Sequence, residues 1–164
     1  MTDTVRISLT VNDEQVSSVV EPRMSLIDML RHELHLTGSH VGCEMGACGA
    51  CLLLLDGTVV HGCLTLAVEA DGREIVTIEG LSDSGKISDL QTAFHQRNAV
   101  QCGFCTPGML MTAQELLAQE ENPSRAKIRD ALSGNFCRCT GYEAIIDAIE
   151  EAAKHRRETR ASST

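Results

Sequence analysis

The sequence predicts an α+β chain, with a small sheet and one helix in the first half and a bundle of about four helices in the second. Three observations carry this. VRISLTV, residues 5–11, alternates in strand fashion, and Asp56-Gly57 marks a hairpin between the apolar runs LLLL and TVVHG. From Ser88 onward, capping residues open successive stretches with apolar positions at helical spacing. Eight cysteines among 164 residues fall into two sets of four, one in each half.

In order along the chain, Val5, Ile7, Leu9 and Val11 share one face of the first strand. Asn12-Asp13 is a turn signal, and VSSVV is the return strand. Ser25, with Asp28 three residues on, resembles a capping box and predicts a helix through about Leu34. A cysteine-rich loop follows, then the LLLL-DG-TVVHG hairpin, then a last short strand around EIVTIEG. Residues 80–88, beginning GLSDSGKI, read as a polar linker between units at 1–79 and 89–155.

In the second half Ser88 can cap a helix over DLQTAFHQRN. Thr106-Pro107 opens the next, with proline in the first turn where its missing N–H costs nothing, and Asn122-Pro123 ends it. Ser124 caps RAKIRDAL, which Gly134 stops. Thr140 and Glu143 form a T-x-x-E box for a final helix with Ala144, Ile145, Ala148, Ile149 and Ala152 on one face. Residues 156–164 are polar and expected to be a disordered, solvated tail.

Charge and composition exclude several classes. Net charge is −9, which argues against a nucleic-acid-binding surface. No apolar run approaches the roughly 20 residues that span a bilayer. The start, MTDTVRISLTVND, lacks a basic segment followed by an apolar core, so a cytoplasmic location is expected. In that reducing compartment structural disulfides are disfavoured, and cysteine clusters point to metal or catalysis.

The first set reads C-x4-C-x2-C, Cys43, Cys48 and Cys51, with eleven residues between Cys51 and Cys63. This is plant-type 2Fe–2S spacing. Four thiolates around two irons leave a net negative group, which needs backbone N–H donors aimed at sulfur. The loop must therefore come close and take positive φ, and GCEMGACGAC supplies glycine at 42, 46 and 49. The competing zinc reading would show two C-x2–4-C pairs. A Rieske centre would need two histidine ligands, and His40 and His61 fit no such pattern.

The second set is C-x2-C at Cys102 and Cys105, a gap of 31 residues, then C-x-C at Cys137 and Cys139. CGFC alone suits a thioredoxin motif, but that motif wants a βαβ setting and leaves FCRCTG unexplained. Four thiolates from two helix ends can close on one cluster, with the helix N-termini after Pro107 and Gly141 facing its negative charge. Arg138 adds positive charge between the last two cysteines.

GCEMGACGAC, VQCGFCTPGML and GNFCRCTGY resemble the iron–sulfur subunit or domain of molybdenum hydroxylases, the xanthine dehydrogenase family. The resemblance runs from about Val5 to Ala153 and includes all eight cysteines. Met45-Gly46-Ala47 fills a stretch that varies between members, and LLLL at 52–55 replaces the more usual threonine- or valine-containing strand.

The resemblance implies an N-terminal plant-type ferredoxin β-grasp domain and a C-terminal four-helix 2Fe–2S domain. It implies that Cys43, Cys48, Cys51 and Cys63 ligate a cluster facing a flavin subunit. Cys102, Cys105, Cys137 and Cys139 would ligate one beside a molybdenum cofactor. Gln101 would hydrogen-bond the pterin, and Cys139 would approach its amino group. The expected function is electron transfer from molybdopterin cytosine dinucleotide on a large subunit to FAD on a medium subunit, in a dimer of heterotrimers. No substrate catalysis would lie on this chain. A free-standing two-cluster ferredoxin is the alternative, for which the −9 charge suits docking on basic partners.

Overall fold

The computed structural model describes residues 3–82 and 88–162. Five strands form one mixed sheet: β1 (Val5–Val11), β2 (Glu14–Val20), β3 (Leu52–Leu55), β4 (Thr58–His61) and β5 (Glu74–Val76). Their order is β2-β1-β5-β3-β4, with β1 and β5 parallel and the other neighbours antiparallel. Both hairpins close on two residues with positive φ, Asn12 and Asp13 at 49° and 67°, and Asp56 and Gly57 at 49° and 79°. That geometry matches the natural twist of the flanking strands.

The sheet's apolar face, with Ile7, Leu9, Leu53 and Ile75, packs on Leu26, Met29 and Leu30 of the one crossing helix. That helix starts as α1 (Leu26–Asp28) and widens into a π turn over Met29–Glu33. Ser25 caps it as expected, its hydroxyl accepting the Asp28 N–H at 3.2 Å. The wider ring lets adjacent Met29 and Leu30 both reach the core, where neither is exposed.

Four helices follow: α2 (Asp89–Gln96), α3 (Thr106–Gln119), α4 (Arg125–Ala131) and α5 (Glu143–Ser162). α3 buries most of its length, Gly108–Ala113 with Leu116 and Leu117, between the sheet and the other helices. Met109, Leu110 and Leu116 join the helical core with Phe94, Ile128 and Ile149. Met111 packs on Leu52 and Leu54 of β3. This explains the unbroken LLLL: Leu53 and Leu55 face the sheet's own core while Leu52 and Leu54 face α3, so both faces are buried. Glu115 of α3 also accepts the Val59 N–H of β4 at 2.9 Å, tying the sheet edge to the helices.

Three expectations are corrected. The strand at EIVTIEG stops at Val76, because Thr77 turns aside to Asn12: its N–H donates to Asn12 Oδ1 at 2.9 Å, and Asn12 Nδ2 donates to its hydroxyl at 3.0 Å. Thr140 does not cap α5, since its hydroxyl lies against Cys137 Sγ, and the Glu143 carboxylate pairs instead with Arg125 and Arg129. The segment 156–162 is helical rather than disordered. Arg156 pairs with Asp89 of α2, Arg157 donates to the Glu121 carbonyl at 2.9 Å, and Arg160 pairs with the Glu121 carboxylate. Sequence reading also missed a helical turn at Ala67–Ala70. Of the expected linker, residues 83–87 lie outside the described residues; Ile78 and Leu81, at its leading edge, pack on the helical core.

Candidate metal centres

Both cysteine loops lie where the two halves meet, and small residues set their spacing. Gly108, in the first turn of α3, lies so close to the Gly49 carbonyl oxygen that any Cβ at 108 would overlap it. Gly49 itself has φ of 72° and backs onto Gly134 and Asn135. The Phe136 N–H donates to the Cys48 carbonyl at 2.9 Å. Asn135, 2 % exposed, receives the Thr112 hydroxyl on Oδ1 at 2.9 Å and reaches the Gly49 carbonyl with Nδ2 at 3.4 Å. His40 stacks on Phe104, ring centroids 4.7 Å apart, with Nδ1 2.8 Å from the Phe104 carbonyl oxygen.

In the first loop Cys51 is buried while Cys43, Cys48 and Cys63 are half-buried. Cys43 contacts Cys48, and Cys51 contacts Cys63. Backbone N–H groups of Met45, Ala47 and Cys48 draw the Cys43 thiol down to about 7, the Ala47 N–H lying 3.3 Å from its sulfur. Burial pushes Cys51 up to about 12 and also raises Cys48. A cationic metal centre that binds such a sulfur displaces the proton to solvent, which water alone would not achieve near neutrality.

In the second set Cys105 ends the loop before α3, while Cys137 and Cys139 lie between the Leu132–Gly134 turn and α5. Cys102 and Cys139 are exposed, their sulfurs 3.6 Å apart, and Cys105 contacts Cys137. Burial pushes Cys105 up to about 12. Burial works the same way on Cys137, but the Thr140 hydroxyl at 3.1 Å and N–H at 3.4 Å outweigh it, and this thiol falls below its ordinary value. Gln101 is exposed beside Cys102, at the same end as Cys139.

All eight cysteines are free thiols. Each set stands as two pairs. Among the described residues, no three His, Cys, Asp or Glu side chains converge as one metal ion would require. Two thiols per iron is the donor arrangement of a 2Fe–2S group. The loop amides aimed at Cys43 fit such a group, as does the Thr140 pair of donors on Cys137. Thr140, Tyr142 and Asn135 are site residues that sequence reading missed. FCRCTGY held the signal for Thr140 and Tyr142, since a hydroxyl one or three residues past a cysteine can fold back on the loop.

The sheet domain and helical domain together define an iron–sulfur protein with two 2Fe–2S-binding domains. Residues 9–77 match the family described as 2Fe-2S iron-sulfur cluster binding domain, and residues 77–150 match the [2Fe-2S] binding domain. The chain is 50 % identical over 150 residues to the nicotine 6-hydroxylase small subunit of Paenarthrobacter nicotinovorans, covering 92 % of this chain and 90 % of that one. It is 42 % identical over 154 residues to the xanthine dehydrogenase iron-sulfur-binding subunit of Escherichia coli O157:H7, covering 93 % and 96 %. A chain in the crystal structure of quinoline 2-oxidoreductase from Pseudomonas putida 86 superposes with a TM-score of 0.92 at 51 % identity, over 94 % of this chain and 97 % of that one. The chain belongs to the small iron–sulfur subunits of the molybdenum hydroxylase, or xanthine dehydrogenase, family. It is an electron-transfer subunit of an oxidoreductase.

Proposed function

We propose that this chain relays electrons between two larger partners in a dimer of heterotrimers. One partner carries molybdopterin cytosine dinucleotide and the other FAD. Cys102, Cys105, Cys137 and Cys139 hold the 2Fe–2S cluster that receives electrons, with Gln101 and Cys139 presented to the pterin. Cys43, Cys48, Cys51 and Cys63 hold the cluster that passes them on. The division into units at 1–79 and 89–155, joined by residues 80–88, follows the same reading. The molybdenum cofactor supplies hydroxylation chemistry on its own subunit, and this chain contributes no group to that step.

The observation that carries the proposal is the direct hydrogen bond between the loops, Phe136 N–H to the Cys48 carbonyl. It gives electrons a short backbone route from one thiol set to the other. Exposed apolar side chains supply the second support. Phe104 and Phe136 stand beside the second set, and Met45 and Leu64 beside the first, at 48, 61, 72 and 59 % exposure. Apolar groups gathered at the redox end suit permanent subunit contacts better than the transient docking of a free carrier. No described helix is long and apolar enough to cross a membrane, and a cytoplasmic complex is the proposed setting.

The test is native purification of the tagged chain from its host. Two larger chains with molybdenum and FAD are expected to co-purify in equal proportion. A monodisperse monomer that holds both clusters alone contradicts the subunit reading and favours the free ferredoxin.

A further inference from the structure

The loop from Cys137 to α5 folds back on itself. Gly141 and Tyr142 take φ of 68° and 69°. The Tyr142 hydroxyl accepts the Cys137 N–H at 2.8 Å and donates to the Asn135 carbonyl at 3.0 Å, which pins the loop at both ends. Within it the Tyr142 N–H reaches the Thr140 hydroxyl oxygen at 3.3 Å. That occupies the acceptor side of the hydroxyl and directs its single proton elsewhere. The atom facing it is Cys137 Sγ, 3.1 Å away. The Thr140 N–H lies 3.4 Å from the same sulfur.

A hydrogen bond to a ligating thiolate withdraws electron density from sulfur and favours the more negative, reduced state of a cluster. A donor that is itself an acceptor in a chain of hydrogen bonds is polarised and strengthened. We infer that the Thr140 hydroxyl sets the reduction potential of the cluster held by the second cysteine set, holding it above the value the four thiolates and backbone would give alone. Thr140 is thus a positioning residue acting through Cys137 Sγ. The contrast lies in the first set, where Cys43 Sγ receives the backbone N–H of Ala47 rather than a hydroxyl. A hydroxyl can be changed without altering the backbone, so the second cluster is separately adjustable. This rests on the proposed ligation by Cys137.

The test uses the intact complex and redox titration followed by electron paramagnetic resonance. Thr140→Val keeps the shape and removes the proton donor; Thr140→Ser keeps the donor. Thr140→Val is expected to shift the midpoint of one 2Fe–2S signal downward, the same signal that Cys139→Ser disturbs, and to leave the other in place. Thr140→Ser is expected to titrate close to the parent protein. An unchanged midpoint in Thr140→Val overturns the inference, and so does an equal downward shift in Thr140→Ser. Loss of half the iron in Thr140→Val, with Thr140→Ser intact, overturns it in favour of a role in cluster retention. Failure of the ligand reading is distinguishable, because the parent complex itself would then lack two 2Fe–2S signals.

Discussion

The N–H of Phe136 donates to the carbonyl of Cys48 at 2.9 Å, so two loops far apart in sequence are joined directly at the thiols. The glycines around this bond make it possible. Gly49 and Gly108 let backbone meet backbone where any side chain would separate the halves.

Gly108→Ala follows directly. The added methyl overlaps the Gly49 carbonyl, which is backbone and cannot swing away. Thermal denaturation is expected to show a loss of about 1–3 kcal/mol, the usual range for overpacking. Gly134→Ala, whose new methyl meets nothing within 4 Å, is the control and is expected to be nearly neutral.

Asn135→Ala is expected to lower stability by about 1–3 kcal/mol. It leaves the buried Thr112 hydroxyl with only the longer bond to the Gly108 carbonyl, at 3.2 Å, and removes the side-chain contact to Gly49. Chemical denaturation checks this. Full stability in the variant would show that the side chain is not a joint between the halves.

The pair between Asp89 and Arg156 gives a pH signature. Burial works against ionisation of Asp89, but the Arg156 guanidinium, with Nη2 2.8 Å from Oδ1, outweighs it and holds the carboxyl below the usual range. A lowered folded-state value means stability that is present above the unfolded value of about 3.9 and is lost as pH falls through the folded one. Asp89→Asn is therefore expected to be less stable than the parent near neutrality. The gap should narrow as pH falls below about 4 and close only once the folded carboxyl is protonated. A gap independent of pH would contradict the ion pair.

Cys48→Ser and Cys139→Ser are expected to fail separately. Each should impair one cluster and leave the other's resonance signal, as expected of two groups with four thiolates each. Cys139→Ser should also stop substrate-driven flavin reduction in the complex. Loss of both signals from either substitution would contradict independent sites.

Much of this was legible in the sequence, because strands, hairpins and helix caps are local. VRISLTV, Asn12-Asp13, Asp56-Gly57 and the Ser88 and Ser124 caps each depend on a few neighbouring residues. The failures share a different cause. Thr77 leaves the strand because a turn side chain 65 residues away holds it. Thr140 resembles a cap, but a thiol competes for its hydroxyl. The segment after His155 reads as solvated, yet its arginines find Asp89 and Glu121 on other elements. The cysteine spacing named both sets, while their pairing and the contact between the loops depended on tertiary packing.

The most direct test is metal analysis of the chain purified natively from its host. Two 2Fe–2S clusters require about four irons per chain, in a red-brown protein without stoichiometric zinc. That result, with two distinct 2Fe–2S signals on reduction, is the one expected. Zinc in place of iron, or about two irons with a single signal, would contradict the assignment of two clusters to the eight cysteines.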